Sequence, residues 1–117
     1  ISMSPVTFSL SQEVHHLHAD LCSALADPTR ILLVYALSDR PHHVGELVNE
    51  LGLPQSTVSR HLRVLRERGL VSVARQGQNM EYSLMDQRLI ESLDVLREGL
   101  RDSLARRAQL VMEQEAS

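Results

Sequence analysis

Polar side chains that can recognise DNA are concentrated between residues 55 and 63. This segment offers hydroxyls, an amide and guanidinium groups, which are the groups that bond base edges and phosphates in DNA complexes. The outward-pointing set is Gln55, Ser56, Thr57, Ser59, Arg60 and Arg63. The pattern favours a DNA-contacting surface, although two amphipathic helices with a solvated arginine face would show similar residues.

The charge of the chain is unevenly distributed along its length. The formal net charge is −3, which taken alone argues against a nucleic-acid partner. Residues 55–80, however, carry five arginines against one acid, whereas residues 1–54 carry two against six and residues 81–117 carry five against eight. The resulting local charge of +4 coincides with the polar segment and has the sign that phosphate binding requires.

A second group of residues could bind a metal ion. His15, His18 and Cys22 are spaced i, i+3 and i+7, so a regular helix places them on one face. Imidazole and thiolate ligands suit Zn²⁺ or Ni²⁺, and His42, His43 or a partner chain could supply a fourth ligand. Two alternatives remain open: solvated histidines beside a small buried cysteine, or a thiol that senses oxidation alone.

The DNA-contacting residues require two short helices joined by a tight turn. Apolar residues recur every three or four positions on either side of a break at Gly52-Leu53-Pro54, as amphipathic helices require. The two stripes are Leu47, Val48 and Leu51, then Val58, Leu62 and Leu65. Pro54 suits the first turn of the second helix. We therefore predict a helix-turn-helix over residues 44–69.

The patterning changes from helical to alternating after Gly69. Two alternating runs flank a polar turn at residues 75–79, which predicts a β-hairpin over residues 70–85. Its tip would present Arg75, Gly77 and Gln78 beside the second helix. A hairpin in this position is the layout of a winged helix-turn-helix.

Helices are predicted on both sides of this core. The first spans Leu10 to Leu25 after a flexible segment 1–9, and a second begins at Pro28 behind an Asp27 cap. That second helix is expected to bury Ile31, Leu32, Tyr35 and Leu37, or their neighbours. A final helix covers residues 87–113. The predicted fold is mainly α with a small β-hairpin, in the order α-α-α-α-β-β-α, within a single domain spanning residues 1–117.

The first and last helices carry apolar stripes that predict a homodimer. The last helix places leucines at intervals of four, three and four residues, which forms a coiled-coil seam. The expected interface residues are Val14, Leu17, Leu21, Leu89, Leu93, Leu96 and Leu100. Packing of both helices onto the core of their own chain is the alternative.

Composition narrows the functional classes. One cysteine in 117 residues excludes an internal disulfide and leads us to expect a cytoplasmic protein, with no segment long enough to span a membrane. No phosphate-binding glycine loop, nucleophile elbow or metal-hydrolase motif is present, so we expect no enzymatic activity. A winged helix that binds another protein remains an alternative to a DNA-binding one.

Three successive motifs resemble the ArsR/SmtB family of bacterial winged-helix repressors. They are LADPTRILLVYAL, ELVNELGLPQSTVSRHLRVLRERGLV and RQGQNMEYSL. The resemblance covers Leu21 to Asp86 and implies a homodimer that binds palindromic operator DNA and responds to an effector. It also implies that His61 joins the recognition-helix contacts and that Tyr82 belongs to the wing.

The resemblance further implies two metal sites, and neither has its usual ligands here. One uses a Cys-x-Cys pair where this chain has His43 and Gly45. The other uses Asp-x-His at the start of the last helix, where this chain has Asp86-Gln87-Arg88. An arginine cannot ligate a cation and a glycine offers no side-chain ligand, so the histidine and cysteine cluster is the candidate metal site in their place.

Overall fold

The computed structural model describes the backbone of residues 5–116 and the side chains from residue 9 onward. The chain divides into two compact units, one ending at Met85 and the other beginning at Asp86. Each unit is described by itself. No helix within the described residues is long and apolar enough to cross a membrane.

The first unit begins with a continuous helical stretch. It consists of α1 (Pro5–Glu13), a π-helical turn (Val14–His18) and α2 (Ala19–Ala24), with right-handed helical dihedrals at both junctions. The segment 1–9, which we expected to be flexible, is helical from Pro5 onward, and residues 1–4 lie outside the described part. Three apolar side chains of this stretch are exposed: Leu10, Val14 and Leu17.

Helix α3 (Pro28–Ala36) begins as predicted, because the carboxylate of Asp27 accepts a 2.8 Å hydrogen bond from the Thr29 amide. Its buried face matches the prediction only in part. Leu33, Val34 and Leu37 are buried, whereas Leu32 is 53% exposed. The run ILLVYAL is apolar on every side, so its periodicity could not select the face.

The helix-turn-helix consists of α4 (Val44–Leu51) and α5 (Gln55–Glu67). Gly52 ends α4 in the left-handed conformation, with φ of 65°, which glycine adopts without steric cost. Pro54 caps α5 from outside the helix, and its carbonyl accepts the Val58 amide at 3.1 Å. The side chains of Leu47, Val58, Leu62 and Leu65 are fully buried and form the core with those of α3.

A three-stranded antiparallel sheet completes the first unit. It contains β1 (His42–His43), β2 (Val71–Gln76) and β3 (Asn79–Leu84), in the order β1-β3-β2. Strands β2 and β3 form the predicted hairpin, whose last pair is Gln76 with Asn79, and Gly77 turns the chain with φ of 62°. Strand β1 was not predicted, because two residues are too few to show alternation.

The second unit consists of α6 (Arg88–Ala116) and the residues leading into it. Both carboxylate oxygens of Asp86 are engaged by Arg88, whose amide and guanidinium donate to them at 2.7–3.1 Å. Leu93 is buried within the single chain, at 9% exposure. Large apolar side chains on the rest of α6 are exposed, namely Val95, Leu96, Leu100, Leu104, Leu110, Val111 and Met112.

Candidate DNA-binding surface

The outward face of α5 is polar and open to solvent. Gln55, Ser56, Arg60 and Arg63 are exposed, while Thr57 and Ser59 are half-buried at its edges. The opposite face, with Val58, Leu62 and Leu65, lies in the core. A helix anchored by one apolar face with hydroxyl, amide and guanidinium groups on the other can enter a DNA major groove.

The arginines of this surface are available for an external anion. Within the part of the chain that the structure describes, Arg60, Arg63 and Arg75 form no salt bridge. Arg68, at the far end of the same helix, differs because its Nη1 lies 2.9 Å from Oδ1 of Asp20. The surface therefore presents cations whose charge no neighbouring carboxylate neutralises.

The hairpin tip lies beside the beginning of α5. A cavity of about 250 Å³ is lined by residues of three elements: His43, Val44, Gly45, Gln55, Gln78, Asn79 and Met80. It brings Gln55 of the helix near Gln78 of the hairpin turn. Arg75, Gly77 and Gln78 are all exposed, so the hairpin extends the same polar surface as a wing.

His61 does not belong to this surface. Its side chain is only 7% exposed, and its Nδ1 lies 3.2 Å from Nη1 of Arg30 on α3. Position 61 follows Val58 by three residues and precedes Leu65 by four, so the helix turns it toward the core. The expectation that His61 contacts DNA is therefore wrong.

Comparison with known proteins identifies the family of this chain. Residues 27–73 match the family model described as bacterial regulatory protein, arsR family. The HTH-type transcriptional regulator Rv0081 of Mycobacterium tuberculosis, described as uncharacterized, is 35% identical over 102 residues, which are 86% of this chain and 90% of that protein. The chain belongs to the ArsR family.

Other relatives in the ArsR family have names that describe a regulatory role. CmtR, an HTH-type transcriptional regulator of Mycobacterium bovis, is 44% identical over 78 residues. The match spans 67% of this chain and 66% of CmtR, slightly under two thirds of that protein's length.

Solved structures of ArsR-family proteins agree with the fold. The crystal structure of Rv0081 has a TM-score of 0.73 and 36% identity, and the alignment covers 81% of this chain and 96% of that one. The NMR structure of CmtR from Mycobacterium tuberculosis, titled a cadmium metal-sensor, has a TM-score of 0.58 and 44% identity, covering 67% and 81%. The predicted winged helix-turn-helix is thereby confirmed, and the relatives are transcriptional regulators rather than enzymes.

The metal-binding residues predicted on the first helix do not converge within one chain. His15, His18 and Cys22 are all exposed, and His15 Nδ1 lies 2.8 Å from the Ser11 carbonyl oxygen. Among the described residues, no group of three His, Cys, Asp or Glu side chains is arranged to hold a metal ion. The π-helical turn Val14–His18 explains part of this, because its wider turn changes the angular spacing assumed for a regular helix.

The two histidines before α4 do not join that cluster either. His42 is fully buried, with Nδ1 2.8 Å from the Arg40 carbonyl and Nε2 3.2 Å from Oε1 of Glu50. With both nitrogens engaged, the expectation that His42 ligates a metal is wrong for this arrangement. The backbone amide of His43 donates to Oε1 of Glu46 at 3.0 Å. The buried Nδ1 of His43 has no hydrogen-bond partner among the described residues.

Asp86, an acid at a family metal position, is held by an arginine. The hydrogen bonds from the side chain and then the amide of Arg88 lower the pKa of the Asp86 carboxyl to about 2. The carboxylate therefore serves as the cap of α6, where a negative charge is favourable. Its bonds to Arg88 occupy the oxygens that a cation would need.

Proposed function

We propose that this protein is a homodimeric transcriptional regulator that binds palindromic operator DNA through α5 and the wing. The observation that carries the proposal is the outward face of α5, where Arg60 and Arg63 are exposed and unpaired among the described residues. Gln55, Ser56, Thr57 and Ser59 lie on or beside this face and would bond base edges. Arg75 and Gln78 on the wing would contact the backbone or the minor groove.

Dimerisation is supported by the apolar surface that a single chain leaves uncovered. Leu10, Val14 and Leu17 on the first helical stretch and Leu96 and Leu100 on α6 are 45–61% exposed. Burial of apolar area contributes roughly 25 cal/mol per Å², so a second copy is the partner that would stabilise these faces. Leu93 is already buried in one chain and contributes little to this surface.

The proposed effector is a divalent metal ion. A relative is titled a cadmium metal-sensor, and this favours a soft divalent cation such as Cd²⁺, Zn²⁺ or Ni²⁺. The described residues of one chain do not form a three-ligand site. A metal effector would therefore require donors from two copies, and His15, His18 and Cys22 are the exposed candidates. Cys22 is a free, exposed thiol, so a redox effector remains the alternative.

The experiment that tests the proposed function begins with selection of duplexes from a randomised library by the wild-type protein. Affinity for the selected duplex and for an unrelated duplex is then measured across a range of salt concentrations. We expect a palindromic consensus and a steep fall in affinity with salt, because each neutralised phosphate releases counterions. If no duplex is enriched and the affinity for DNA does not change with salt, the alternative of a winged helix that binds another protein is favoured.

A further inference from the structure

Arg30 connects the end of the first helical stretch to the recognition helix. Its Nε donates to the Ala24 carbonyl at 2.6 Å and its Nη2 to the Ser23 carbonyl at 3.4 Å. The last carbonyls of a helix have no partner within that helix, and a cation is favoured beside them. The third contact of the guanidinium, from Nη1, reaches Nδ1 of His61 on α5 at 3.2 Å.

This contact depends on the protonation state of His61. A guanidinium has only hydrogen-bond donors, so Nδ1 of His61 must be the acceptor. A ring that accepts at Nδ1 is neutral and carries its proton on Nε2. Protonation would place an N–H of His61 against an N–H of Arg30 within a nearly buried contact, and the hydrogen bond would be lost.

We propose that Arg30 is a positioning residue for the recognition helix, and that it holds α5 only while His61 is neutral, so that DNA affinity falls on acidification. The inference rests on the proposed DNA-binding function. His61 lies next to Arg60 and two residues before Arg63, so a displacement of α5 at His61 would move both arginines of the DNA-binding face. Through Ser23 and Ala24 the same contact relates α5 to the helical stretch proposed for the dimer.

Asp27 is a charged residue near both Arg30 and His61. Burial alone would raise the pKa of the Asp27 carboxyl, but the hydrogen bond from the Thr29 amide and the charge of the Arg30 guanidinium hold this pKa below its ordinary value. Asp27 therefore stays ionised and partly offsets the repulsion between Arg30 and a charged His61. The charged side chains of α4, Glu46 and Glu50, are paired with Arg40 and His42. The charged side chain of β2, Arg75, is exposed. The charged side chain of α2, Asp20, is paired with Arg68.

NMR of the imidazole nitrogens tests the contact without DNA. At neutral pH we expect His61 in the Nε2–H form, and we expect its ring signals to change in the Arg30→Ala protein. A His61 ring that carries its proton on Nδ1, or signals unchanged by Arg30→Ala, would overturn the inference. Since Arg30→Ala could unfold the protein, Arg30→Lys is measured in parallel, because a lysine cannot make all three contacts at once.

DNA affinity across pH tests the consequence. Between about pH 8 and about pH 5, where imidazoles titrate, wild-type affinity for the selected duplex is expected to fall at least about fivefold, the lower end of typical coupling. His61→Asn places an amide oxygen where Nδ1 stood and should retain affinity while reducing the pH dependence. Arg30→Ala should bind weakly throughout. His16→Asn, which changes an exposed histidine, should behave as wild type.

The outcomes separate this inference from the proposed function. Wild-type protein that binds no DNA refutes the proposed function and the DNA half of the inference, whereas the NMR result still decides whether Arg30 holds a neutral His61. If the wild-type protein binds DNA and His61→Asn shows the wild-type pH profile, the positioning role is refuted while the proposed function stands.

Discussion

The fully buried imidazole of His42 places its Nε2 3.2 Å from Oε1 of Glu50 while its Nδ1 meets the Arg40 carbonyl at 2.8 Å. Both partners of His42 are hydrogen-bond acceptors, a carboxylate oxygen and a backbone carbonyl oxygen. His61 is the opposite case, because its partner can only donate. The two buried histidines near the helix-turn-helix thus face partners of opposite hydrogen-bonding character.

The His42 contact is expected to stabilise the winged helix. His42→Ala would remove a fully buried ring from β1 and leave a cavity beneath the sheet, which should lower the free energy of unfolding by about 2–4 kcal/mol. Urea denaturation followed by circular dichroism measures this. His16→Ala, at an exposed position, is the control and should unfold with wild-type stability. Equal stability of the two variants would contradict a packing role for His42.

The dimer proposal predicts that a charged α6 separates the chains. Leu96→Asp combined with Leu100→Asp would place two carboxylates in an apolar interface, which is costly unless the chains dissociate. Sedimentation velocity should then show monomers, and DNA affinity should fall sharply because one winged helix-turn-helix occupies only half of a palindromic operator. Val95→Asp, at an exposed position outside the leucine spacing, is the matched control. A double variant that remains dimeric, or a monomeric wild-type protein, would refute the proposed interface.

The effector proposal predicts that metal binding depends on the first helical stretch. His15→Ala combined with His18→Ala should abolish binding of Cd²⁺, Zn²⁺ or Ni²⁺ measured by calorimetry on reduced protein. Because ligating imidazoles must be neutral, the wild-type affinity should fall as the pH is lowered through the histidine range. His16→Ala is the control. Metal binding that is unchanged in the double variant, or absent from wild-type dimers, would exclude this cluster as the sensor.

The cap of α6 should contribute to acid stability. Since Arg88 holds the pKa of Asp86 at about 2, below its ordinary 3.8, the carboxylate stabilises the native state above about pH 4. That contribution is lost as the pH falls toward 2, and solvent exposure keeps it small. Asp86→Asn should lower stability at neutral pH and reduce the loss of stability on acidification. Asp102→Asn, further along α6, is the control and is expected to lose stability on acidification as the wild-type protein does.

The sequence predicted those parts of the fold that depend on repeated patterns. The apolar stripe of Val58, Leu62 and Leu65 predicted the buried face of α5. The residues on the opposite face were predicted to point outward, and Arg60 and Arg63 are exposed as expected. The same spacing could have shown that position 61 turns inward, but the resemblance to family recognition helices led us to place His61 on the DNA side. The hairpin was predictable because its alternation spans enough residues, whereas β1 has only two.

Features that depend on long-range contacts had no sequence signal. Arg30 and His61 are 31 residues apart, and nothing in either local pattern indicates their contact. The π-helical turn at Val14–His18 also has no spacing that distinguishes it from an α-helix. It altered the geometry of the predicted metal cluster. Leu93 belongs to a regular leucine spacing, which could not show that this residue is already buried within one chain.

The wing should contribute affinity with little sequence preference. Arg75 is exposed at the hairpin tip, where a phosphate is the expected partner. Arg75→Ala should therefore weaken binding to selected and unrelated duplexes by similar factors and reduce the slope of affinity against salt by about one unit. Fluorescence anisotropy at several salt concentrations measures both. A loss confined to the selected duplex would instead indicate base contacts by the wing.

The most direct measurement for the central proposal compares the affinity of Arg60→Ala and Arg63→Ala proteins for the selected duplex with that of Arg106→Ala. All three positions are exposed arginines on helices, but only the first two lie on the proposed DNA-binding face. We expect each of those two variants to lose about 1–3 kcal/mol of binding free energy, with Arg106→Ala binding as wild type. Wild-type affinity in both Arg60→Ala and Arg63→Ala would contradict DNA recognition by this surface.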